Sequence, residues 1–116
     1  MSPSLVLLSI KTIRIFFLLE WISAGNMKYE RVWHEATVLN NGKVLVSGTF
    51  SSDDSMKTCE LYDPSKKVWT TASNMNHGRF GHSASILTDG QVLIASGCNM
   101  SNVLISSELY NPTTGR

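Results

Sequence analysis

Two cysteines, three histidines and nine carboxylates are the side chains of this 116-residue chain that could bind a metal or attack a substrate. Their spacing argues against both. Cys59 and Cys98 form no Cys-x-x-Cys pair and have no histidine at zinc-finger distance. With no visible geometry for a disulfide, each is expected as a reduced, inert thiol. His34 and His82 stand 48 residues apart, and His77 stands alone. A metal site needs several ligands converging on one point, and these residue types do not cluster. No nucleophile–base motif is present. The reading is therefore a non-enzyme with no catalytic residue, no metal and no cofactor. Asn99-Met100-Ser101 fits a glycosylation acceptor and is expected to be unmodified.

Charge removes a further class of partner. Ten basic against nine acidic residues leave a net charge of +1, so no nucleic-acid partner is expected. Charged residues make up 16% of the chain and apolar residues 42%, which suits a folded domain better than a disordered one.

The elements that position these side chains follow from a repeat. Shifted by 48 residues, the chain aligns Trp21 with Trp69, Asn26-Met27 with Asn74-Met75, Arg31 with Arg79 and His34 with His82. Gly42, Val44-Leu45, Glu60-Leu61-Tyr62 and Pro64 recur at the same offset, and no gap is needed. The repeat divides residues 21–116 into 21–68 and 69–116, with residues 1–20 outside it.

Within each unit the pattern is four short strands. His34–Leu39 and His82–Leu87 begin the units, and Asn41-Gly42 or Asp89-Gly90 predicts a two-residue type I′ hairpin. Lys43–Ser47 and Gln91–Ala95 are β-branched runs suited to a central strand covered on both sides. The third strand, Lys57–Tyr62 or Ile105–Tyr110, ends at Asp63-Pro64 or Asn111-Pro112, where the Asx side chain and the fixed proline φ start a turn. Trp69 marks the fourth strand.

Four strands and a fixed aromatic per unit of this length are the pattern of a propeller blade. The phrase from Arg31 and His34 through Ala36, Leu39, Gly42, Val44-Leu45 and Gly48 to Glu60-Leu61-Tyr62-Asp63-Pro64 and Trp69 resembles the kelch repeat, and it recurs in register. The resemblance implies an all-β fold: two four-stranded antiparallel blades of a kelch-type β-propeller, partial and not closed, behind a non-repeating apolar N-terminal segment. Kelch blades usually carry a Gly-Gly pair after the second strand, where backbones approach closely. Here Gly48-Thr49 and Ser96-Gly97 keep one glycine each, which predicts local loosening. In this frame Trp21, Trp69, Tyr62 and Tyr110 are expected to pack between strands and blades. Arg31 and Arg79 are expected to bond from blade to blade, and His34 and His82 to make one repeated bond, each within its own blade.

Function is expected where the copies differ. From Val46 to Cys59 no residue matches its counterpart. The loops Thr49–Met56 and Gly97–Leu104 lie there, and loops on one face of a repeat scaffold are its usual binding surface. Phe50, Asp53, Asp54, Asn99 and Met100 are the candidate partner contacts. The expected role is a protein-binding scaffold, with the partner unidentified. The resemblance also implies two alternatives: a remnant of a galactose-oxidase-like copper enzyme, to which no residue here can be assigned as a ligand, and the kelch part of a ubiquitin-ligase substrate adaptor.

Residues Leu5–Ile22 are strongly apolar but carry Lys11, Arg14 and Glu20. Each charge at the centre of a span costs roughly 2.5–3.5 kcal/mol, so no membrane span is expected. Two blades cannot close a ring. The chain is thus expected to be part of a longer array, or to complete a propeller by self-association.

Overall fold

The computed structural model describes residues 24–116; expectations for residues 1–20 and for Trp21 lie outside them. Two antiparallel sheets result. The first runs in chain order through β1 (Glu35–Val38), β2 (Val44–Ser47), β3 (Cys59–Asp63) and β4 (Val68–Ala72). The second contains β5 (Ser83–Ile86), β6 (Val92–Ala95) and β7 (Ser107–Tyr110). Among the described residues the second unit has three of the four expected strands.

Register repeats with the sequence. Val44 faces Tyr62 across β2 and β3, and Val92 faces Tyr110 across β6 and β7. Alternation along β2 explains the packing, since successive side chains point to opposite faces. Leu45 joins Leu39, Cys59 and Met75 against Val92, Ile94 and Tyr110 in one core between the sheets. Val44 and Val46 turn the other way, onto Tyr62 and Ala24. Tyr62 lies against Trp69 at 5.0 Å between ring centroids, and Trp69 Nε1 donates to the Ala24 carbonyl at 2.8 Å. Both rings are therefore packing residues, as their recurrence implies.

The outer face of the second sheet has no such cover. Leu87 and Leu109 are 37% and 52% exposed, whereas Leu39, one period before Leu87, is buried.

The hairpins differ from expectation. In each copy only the glycine, Gly42 or Gly90, has positive φ, while Asn41 and Asp89 do not. Leu39 accepts from Gly42 N and donates to the Lys43 carbonyl. This is a three-residue loop, a type I turn closed by a left-handed glycine, in place of the two-residue type I′ turn. Asn41 Oδ1 accepting from Lys43 N, and Asp89 Oδ1 from Gln91 N, favour this form through local Asx bonds. The Asp63-Pro64 turn is capped as predicted, with Asp63 Oδ1 accepting from Ser65 N and Ser65 Oγ.

The halved glycine pair is resolved by what each position touches. A Cβ on Gly48 would lie 2.3 Å from the Arg79 carbonyl oxygen, on the approach to β5. On Gly97 it would lie 2.8 Å from both His82 Cβ and the Phe80 carbonyl oxygen. The retained glycines are thus the ones at close approaches. Ser96, in the phase of Gly48, still takes φ +56°, a left-handed conformation that costs an L-residue about 1–2 kcal/mol. Thr49 is buried and uses its hydroxyl as the acceptor for Val32 N.

Candidate functional site

Beneath the diverged loops lies a repeated polar frame. Arg31 is fully buried and donates to the carbonyls of Gly48 and Thr58, to Thr58 Oγ1 and to Glu60 Oε2 at 2.8 Å. Glu60 in turn accepts from the backbone N–H groups of Lys28 and Tyr29. One period on, Arg79 donates to the carbonyls of Ser96 and Ser106, to Ser106 Oγ and to Glu108, which accepts from Asn76 N and His77 N. Each arginine thus ties the entry to its own sheet to the start and end of the β2–β3 or β6–β7 loop. The expectation of blade-to-blade bonds is corrected: the guanidinium fork reaches two carbonyls and a carboxylate that its own loop brings together. Glu60 and Glu108 were visible as repeated residues, but their pairing with the arginines depends on the loop returning beside the strand entry.

The histidines also depart from expectation. His82 Nε2 lies 2.8 Å from Ser47 Oγ, on the neighbouring sheet, so this bond is between blades. Both ring nitrogens of His34 are buried without a hydrogen-bond partner among the described residues. Burial, then the Arg79 charge, then His34 hold His82 down at about 4, and burial and Arg31 lower His34 as well.

This sets an acid sensitivity. Above the ordinary histidine value of 6.5 both folded and unfolded His82 are neutral and no penalty arises. As pH falls, the unfolded chain takes up a proton that the folded chain refuses until about 4, so stability drops through that window. Urea denaturation should show a loss of about 2 kcal/mol between pH 7 and pH 5. His82→Gln should remove most of that slope, and an unchanged slope would reject the assignment.

The candidate contact residues sit on the face above this frame. Asp53, Asp54 and Asn99 line one shallow hollow of about 150 Å³ with Met56, Lys57 and Gly78. Asp53 Oδ1 accepts from Ser51 Oγ, Ser55 N and Ser55 Oγ, which holds the exposed carboxyl near 2 and shapes the 3-10 turn Asp54–Lys57. Asn99 Oδ1 likewise accepts from Ser101 N and Asn102 N. Phe50 lines a second, apolar hollow of about 160 Å³ with Trp33 and Phe80. Met100 is exposed and lines neither hollow. Trp33 and Phe80 were not among the sequence candidates. The signal lay in the repeat itself, where Val32, Trp33 and Phe50 become Phe80, Gly81 and Cys98.

Cys59 is buried, and burial pushes its thiol up to about 11; neither cysteine is in a disulfide. Among the described residues no three His, Cys, Asp or Glu side chains gather as a metal site, and no helix is long and apolar enough to cross a membrane.

Comparison with curated proteins returns no match. Among solved structures, a fungal alcohol oxidase of the AA5 family, in complex with copper, superposes over 82% of this chain with a TM-score of 0.66 and 20% identity. The chain spans 19% of that protein's length, and the likeness is one of fold. The Kelch motif matches residues 36–76, which run from the second residue of β1 through β4. The chain thus carries a Kelch motif with a second copy in register, and its described residues form two adjacent partial blades of propeller-like fold.

Proposed function

We propose that this chain is a binding scaffold that performs no bond-making chemistry, and that it holds a protein partner through the β2–β3 and β6–β7 loops. The observation that supports this most is the contrast between frame and loops. The Arg–Glu frame is the same in both blades, while the loops it supports share no residue at equivalent positions between Val46 and Cys59. Loops freed from a structural repeat can vary to suit a partner.

Cross-linking of the full chain in an extract of its own cells tests the proposal. Cross-links concentrated on residues 49–57 and 97–104 are expected. Cross-links confined to other surfaces would overturn it, as would copper-dependent oxidation of a primary alcohol by the purified chain.

Self-association belongs to the same proposal. Leu87, Leu93 and Leu109 stand where Leu39, Leu45 and Leu61 contribute to the core between the sheets. A second copy packed against this face would cover them. Light scattering on the full chain should show oligomers that Leu109→Lys dissociates. A monomer at high concentration would exclude self-association.

A further inference from the structure

The apolar hollow above the loops carries two features that packing alone does not explain. Trp33 is 70% exposed and adopts φ +59°, a left-handed conformation unfavourable for an L-residue. One period on, the same backbone position is Gly81, at φ +63°. A glycine would serve the fold here, yet the first blade keeps a large, solvent-facing ring. Retained strain at an exposed aromatic points to a role outside the fold.

That ring builds a slot with two others. Phe80 meets Phe50 edge-on at 5.0 Å and 90°, and meets Trp33 at 6.2 Å and 79°. Backbone bonds fix the walls: Phe50 N donates to the Val32 carbonyl, Gly81 N to the Trp33 carbonyl, and Phe80 pairs with Cys98 in both directions. The slot is therefore preformed and joins both blades. Its rim is acidic. The segments that carry Phe50 and Phe80 run on to Asp53 and Asp54 and back to Gly78, which line the neighbouring hollow. Asp53 stays ionised at every ordinary pH, and Lys57 is the one cation lining that hollow.

We infer that the Trp33–Phe50–Phe80 slot receives an arginine side chain of a partner polypeptide, its guanidinium plane stacked on the rings and its charge facing Asp53 and Asp54. A guanidinium is flat, weakly hydrated and cationic, so it gains from aromatic faces and from carboxylates together. This rests on the scaffold reading above and names the partner chemistry for it.

The test is titration of the full chain with acetyl-Gly-Ser-Arg-Ser-Gly-amide, followed by tryptophan fluorescence and by NMR shifts. Two comparison peptides carry citrulline or leucine in place of arginine. The arginine peptide should bind at least tenfold more tightly than either, and binding should weaken with salt. Trp33→Gly should keep the circular dichroism of the parent, since glycine suits that backbone, and lose binding at least tenfold. Asp54→Asn, which leaves the bonds of Asp53 in place, should weaken binding severalfold. Equal binding of the leucine peptide, no binding by the parent, or unchanged binding by Trp33→Gly would each overturn the inference. Cross-links still concentrated on the two loops in such a case would leave the scaffold reading standing without the arginine slot.

Discussion

Glu60→Ala should cost this protein about 3–5 kcal/mol, enough to unfold the first blade in a domain of ordinary stability. The substitution removes the only carboxylate that the fully buried Arg31 pairs with among the described residues. It also strips Lys28 N and Tyr29 N of their acceptor. A buried guanidinium cannot escape by deprotonating, so its charge stays buried on the remaining acceptors. Glu108→Ala tests the same pair in the second blade and should cost less. The Glu108 side chain is 14% exposed against 3% for Glu60, and water can replace part of what is lost. Glu60→Gln should fall between them, because it keeps one acceptor without the charge. Urea denaturation of the three variants measures the order. Equal costs for Glu60→Ala and Glu108→Ala would show that burial does not set the strength of the pair.

Gly48→Ala should be nearly as severe, through a different route. The new Cβ would meet the Arg79 carbonyl oxygen at 2.3 Å and His82 Cε1 at 2.7 Å, on the approach to β5. The Arg79 carbonyl is backbone and cannot swing aside, so overpacking adds about 1–3 kcal/mol to about 1–2 kcal/mol for an L-residue at φ +73°. Gly42→Ala separates the two contributions. That position has φ +87° but nothing within 4 Å of its Cβ, so only the conformational cost of about 1–2 kcal/mol applies. The difference between the variants measures how closely the blades must approach. A Gly48→Ala protein as stable as Gly42→Ala would mean that the sheets separate at little cost.

How far the site could be read from residues alone depends on the reach of each interaction. Asp63 capping its turn through Ser65, and Asn41 through Lys43, involve neighbours two residues away, so composition at the turn is sufficient. Even there the hairpin type was missed, because Asn-Gly also fits the longer loop with one left-handed residue. The Arg31–Glu60 pair spans 29 residues and lies hidden among other repeated positions. The Ser47–His82 bond spans 35 and joins different blades, so a repeat comparison points to the wrong partner. Phe50 was accessible as a diverged loop residue. Trp33 and Phe80 also differ from their counterparts, but each stands before a strand, where an aromatic reads as packing.

Sequence by itself determined the period, the order of the strands along a blade and the location of the variable loops. These depend on alternation and turns, which act over a few residues and repeat whenever the residues repeat. Tertiary structure alone decided what crosses from one blade to the next: the fit of Gly48 against Arg79, the His82–Ser47 bond, and the meeting of Trp33, Phe50 and Phe80. Those contacts depend on the rotation between neighbouring sheets, a property of the packed pair that no single stretch of chain encodes.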